Sequence, residues 1–110
     1  MGLCRAVAEV TRRASVRDDR RFCQQLTDAA TAVPTNVAEG FARYGLREFM
    51  RYLSVARGSV AEVQTWLILG RDRGYLTAEE TEALLTLSRR TGGALAALMR
   101  ALRGKLAERR

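Results

Sequence analysis

Between Leu46 and Arg73 the apolar residues keep a strict order. Phe49, Leu53, Ala56, Val60, Val63, Leu67 and Gly70 follow one another at alternating steps of four and three. Only an α-helix brings residues so spaced onto one side, and a seam kept this long marks helices packed at shallow angles. A half-buried strand would instead alternate every second residue, and no such run of useful length occurs in the 110 residues. The chain must be built from packed helices. Beside this seam runs a second: Tyr52, Val55, Ser59, Trp66 and Leu69. A small bundle closes its core with one seam per helix, so the second is read as a surface for another subunit, with Tyr52, Val55, Trp66 and Leu69 as its contacts.

Three further helices are predicted around this one. "LCRAVAEVTRRA", residues 3–14, carries Leu3, Val7 and Val10 at helical intervals. Asp18 or Asp19 can then cap a helix over 19–43, whose stripe reads Phe22, Leu26, Ala30, Val33, Val37 and Phe41. Gly45 supplies a stop, and the seam helix follows over 46–73. Gly74 suits a C-terminal cap, and Thr77 with Glu80 forms a capping box for a last helix over 78–107. That helix is expected to bury Leu84, Thr91, Leu95, Leu98, Leu102 and Leu106, leaving Gly92 and Gly93 off the stripe. Short connections make successive helices antiparallel neighbours. The expected fold is all-α, an antiparallel up-and-down four-helix bundle forming a single domain over 1–110.

The stretch "AVPTNVAEGFARYG" sets the chain's one proline inside a helical pattern. Pro34 has no N–H for the carbonyl of Ala30, and its ring presses on that turn, so the helix either ends or bends. Leu26, Ala30, Val33, Val37 and Phe41 hold their phase across it, which favours a bent, continuous helix. Asn36, Glu39 and Arg43 fall on one flank, with Glu39 and Arg43 at the spacing of an ion pair and Gly40 between them. A chemical reading would make Glu39 a general base and Asn36 an oxyanion donor, but no nucleophile or second proton carrier stands at matching spacing. Pro34, Asn36, Glu39, Gly40 and Arg43 are read as a hinge and packing motif.

Composition narrows the chemistry further. There is no histidine, which removes the usual neutral-pH proton shuttle and the commonest metal ligand. Cys4 and Cys23 are far apart, with no paired-thiol spacing, so no zinc site is expected and a reducing, cytoplasmic setting is. No Gly-rich phosphate loop or metal-type carboxylate cluster is present, and Glu79, Glu80 and Glu82 suit the positive end of a helix dipole. No cofactor, no catalytic activity and no membrane span are expected.

The residues quoted above carry a resemblance. From Gln25 to Tyr75 the chain shows Gln-Leu at 25–26, the Ala29–Ala30 pair, Val33–Pro34, Asn36, Ala38-Glu39-Gly40 and Arg43. It continues with Glu48–Phe49, Leu53, Ala56-Arg57-Gly58-Ser59, Glu62 and Gly74–Tyr75. This pattern resembles the bacterial four-helix bundle proteins of the ribosomal RNA intervening-sequence type, although Thr27 and Asp28 stand where that family often carries basic residues. The resemblance implies a four-helix protomer that assembles into a ring, a homopentamer. It also implies kinship with accessory proteins of diversity-generating retroelements, which bind a reverse transcriptase and nucleic acid through a basic surface.

Charge agrees with such a partner. The net charge is +7, and all but one of the 19 basic residues are arginine. An excess of this sign favours capture of polyanions. Arg89, Arg100, Arg103 and Arg110 project away from the leucines of the last helix and are the candidate contacts to RNA or DNA. The reading is a non-enzymatic homo-oligomer that binds nucleic acid. The alternative is a scaffold for a protein partner, such as a reverse-transcriptase-like enzyme, without nucleic-acid binding of its own.

Overall fold

A computed structural model describes residues 2–43 and 45–108. It contains four helices: α1 (Gly2–Thr11), α2 (Arg20–Ala42), α3 (Leu46–Asp72) and α4 (Ala78–Glu108). Each packs on the next, and α4 returns to α1, while the diagonal pairs α1–α3 and α2–α4 do not meet. This is the up-and-down four-helix bundle. No strand occurs among the described residues.

The helix ends follow local chemistry. α1 stops at Thr11, short of the expected residue 14, because the chain tightens into successive three-residue turns. Those turns carry Val16 under the bundle, where it is fully buried. Asp19 caps α2, accepting from the Phe22 N–H at 3.1 Å. α2 ends at Ala42, and Gly45 serves as the cap before α3 with a φ of 101° that favours glycine. Thr77 and Glu80 form the expected capping box, each side chain accepting the other's N–H at 3.0 Å.

The seam on α3 is the spine of the core. Leu53, Ala56, Val60, Val63, Leu67 and Gly70 are all buried, and only Phe49 at its start is half-buried. Around Phe22, which is fully buried, Trp66 and Tyr75 pack edge-on at 6.0 and 5.1 Å. Burying such a ring stabilises by about 2–3 kcal/mol. Gly70 permits it, since a Cβ there would lie 2.8 Å from the Phe22 ring.

Two expected stripes need correction. On α4 the buried residues are Thr81, Leu85, Ser88, Leu95, Met99 and Leu102, whereas Leu84, Thr91 and Leu106 are half-buried and Leu98 is exposed. Gly92 belongs to this true stripe, close to Val60 of α3, rather than lying off it. Small side chains won because α3 approaches closely there. On α2, Phe41 is 78 % exposed, and Gly40 takes the buried place.

The reason for Phe41's exposure is the length of α1. Ten residues rise about 15 Å, against about 46 Å for the 31 of α4. One core cluster therefore draws on all four helices, and the other, around Val33, Leu53 and Met99, draws on α2, α3 and α4 alone. In that half no described residue of another helix stands between α2 and α4.

Candidate functional site

α2 runs through Pro34 without interruption. The carbonyl of Ala30, which the proline cannot serve, accepts instead from the Cys4 thiol of α1 at 3.4 Å. Thr35 Oγ1 and the Asn36 side-chain amide donate to the carbonyls of Thr31 and Ala32, each at 2.7 Å. The Asn36 amide thus serves its own helix. Glu39 and Arg43 pair at 2.9 Å with both side chains half exposed, a contact adding only a few tenths of a kcal/mol. Gly40 admits α3: a Cβ there would come within 2.6 Å of the Tyr52 Cβ. Of the five, Gly40 and Arg43 meet α3 through Tyr52, while Asn36 and Glu39 bond within their own stretch of chain.

The second seam of α3 faces α2. Tyr52 lies against Gly40, with the guanidinium carbons of Arg43 and Arg51 at 5.7 and 4.6 Å from its ring centre. Trp66 packs on Phe22 and belongs to the four-helix core cluster. Leu69 is half-buried, and Val55 is 46 % exposed. Because α3 sits between two helices, it needs two seams within one chain. Of the four contacts predicted from the second seam, only Val55 is exposed.

The arginines lie on the opposite flank. Val60 opposite Gly92 and a 3.0 Å bond from the Gln64 amide to Ser88 fix how α3 and α4 face each other. On the outer side of that contact stand Arg89, Arg100 and Arg103, separated by eleven and three residues and hence close to one line along α4. Arg57, seven residues and so two turns before Gln64, joins them from α3. All four are exposed. From Ala83 to Ala107 α4 carries no acidic residue, so Glu82, 3.8 Å from Arg89, is the nearest carboxylate on its own helix. Arg110 lies outside the described residues. Arg57 escaped the sequence reading because its position relative to α4 depends on how the two helices face each other.

At the closed end of the bundle a polar knot gathers four elements. Asp19 Oδ2 accepts from the Tyr75 hydroxyl at 2.6 Å and from Arg73 at 3.1 Å. The Tyr75 hydroxyl and the Phe22 N–H hold the Asp19 carboxyl below its ordinary value of 3.8. Arg13 donates to Glu80 and to the Tyr75 carbonyl, and its guanidinium holds Glu80 low in turn. Burial pushes the neighbouring Cys23 thiol up. Among the described residues no cluster of carboxylates and thiols suits a metal ion.

This arrangement of elements and motif residues can be set against known proteins. A family model described as 23S rRNA-intervening sequence protein matches residues 1–97. The chain belongs to that family. The match takes in α1 and most of α4, beyond the span from Gln25 to Tyr75 in which the motif residues lie. A protein of unknown function from the S23 ribosomal protein family of Bacteroides thetaiotaomicron VPI-5482, known from a crystal structure, shares the fold. Its TM-score is 0.79 at 20 % identity, over 88 % of this chain and 90 % of that one. Comparison with curated proteins gives no match. Within this intervening-sequence protein the motif residues have structural work: Pro34 sits within a continuous α2, Gly40 lets α3 approach, and Gly74–Tyr75 closes the knot on Asp19.

Proposed function

We propose that this protein is a non-enzymatic, ring-forming homo-oligomer that binds RNA or DNA through the outer face of α3 and α4, in an accessory role. The observation that carries the reading is the acid-free run of α4. Arg89, Arg100 and Arg103 stand exposed along it, and Arg57 extends the row from α3. Guanidinium groups so placed neutralise backbone phosphates and give affinity that does not depend on base sequence. Membership of a family named for 23S rRNA intervening sequences makes a structured rRNA fragment the first ligand to try.

The test is fluorescence anisotropy of such an RNA across a salt series. The Arg100→Glu/Arg103→Glu variant is expected to bind about tenfold or more weakly, with a salt slope reduced by about two. Absence of binding by the unaltered protein at low salt, or identical curves for the variant, overturns the proposal. Absence of binding would leave the scaffold reading, in which a reverse-transcriptase-like protein is the partner.

A further inference from the structure

We propose that the groove between α2 and α4 receives an amphipathic helix with acidic flanks from a partner protein. The groove encloses about 470 Å³ and is walled by Val33, Pro34, Val37 and Phe41 on α2 and by Ala94 and Leu98 on α4. It continues the slot that α1 fills at the other end, where Leu3, Val7 and Val10 are buried between the same two helices. A slot that accepts one helix through an apolar stripe at spacings of four and three is shaped to accept another in line with it. Ala38 and Ala94, both exposed, let a helix backbone come close.

Charge selects the partner's sign. Arg90 stands one turn before Ala94 and Lys105 two turns after Leu98, so both flank the groove, and both are exposed. The α2 rim offers Thr31, Ala38 and Ala42, which carry no charge. α1 runs antiparallel to α2 and points its N-terminus toward the groove, adding the positive end of a helix dipole. An acidic helix is complementary to Arg90 and Lys105 on the α4 side and to the start of α1, and meets no charge on the α2 rim, whereas a basic one is repelled.

A second copy fits less well. Among the described residues the exposed large apolar ones are Phe41, Val55, Ile68 and Leu98. Phe41 and Leu98 belong to the groove, while Val55 and Ile68 stand on opposite sides of α3, so no helix presents an outer stripe to insert.

The probe is a fluorescein-labelled synthetic helix of 14 residues, with leucines at steps of four and three and glutamates on its flanks. The control replaces its glutamates by lysines. The acidic peptide is expected to bind the full chain, and the lysine peptide about tenfold or more weakly. Ala94→Trp fills the groove from an exposed position and should weaken binding by a similar factor. Arg90→Glu/Lys105→Glu, two surface changes, should reverse the preference between the peptides. No binding of the acidic peptide, equal binding of both, or indifference to Ala94→Trp overturns the proposal. So does a protein whose mass in solution falls on Ala94→Trp, which would show the groove holding another copy. Nucleic-acid binding lies on the far side of α4, so its success or failure leaves these outcomes unchanged.

Discussion

Cys4 answers a carbonyl that Pro34 leaves without its helical donor. Its thiol is a weak donor, yet it comes from another helix and reaches the Ala30 oxygen. The two residues should therefore be coupled. Cys4→Ala is expected to cost about 0.5–1 kcal/mol more in the natural background than in Pro34→Ala, where the restored N–H can serve Ala30 itself. Cys4→Ser keeps a donor and should cost less than Cys4→Ala. Urea denaturation of the four members of the cycle measures the coupling, and equal costs of Cys4→Ala in both backgrounds would refute it. The proline's place in a continuous helix could be read from the phase of its neighbours. The thiol that completes it could not, because its partner lies 26 residues away on another element.

Between elements, the connection of the α1–α2 turn to the start of α4 rests on Asp19 and Glu80. Both carboxyls lie below their ordinary values of 3.8 and 4.5, held chiefly by the Tyr75 hydroxyl and by Arg13. A depressed folded-state value means the unfolded chain takes up protons first as pH falls. The stabilisation is then fully present above the ordinary values and is lost as pH drops through the folded ones. Asp19→Asn keeps a capping side chain and removes the charge. Its melting temperature should fall below that of the natural protein at pH 7, with the gap closing below pH 3.8 as Asp19 itself is neutralised. A gap that stays constant across that range would assign the effect to shape. The capping box and the seam of α3 were legible because they are encoded within one helix. The stripe of α4 was not. Its leucines lie on both flanks, and where α3 comes close the core takes Ser88 and Gly92, which no count of large apolar residues selects.

Taken as a whole the molecule is a rod of 54 × 23 × 18 Å, four helices thick at one end and three at the other. Its three long flanks have different characters: an arginine face over α3 and α4, an apolar groove between α2 and α4, and the outer edge where α3 meets α2. The ring implied by family resemblance would join one face of each copy to a different face of the next, and so would use two of the molecule's surfaces. On the third flank Trp66 and Tyr52 are already engaged with α2, so a Trp66 substitution would confound assembly with folding. Val55 avoids that, being exposed and outside both core clusters. If copies meet along this edge, light scattering should give a particle of several times 12.2 kDa, and Val55→Glu should lower it while leaving the helical circular dichroism unchanged. A charge placed in an apolar contact between subunits has no partner and costs several kcal/mol, enough to dissociate an interface of ordinary strength. A mass identical in both proteins would remove this edge as the assembly surface. A fall on Ala94→Trp instead would move the contact to the groove and exclude a partner helix there.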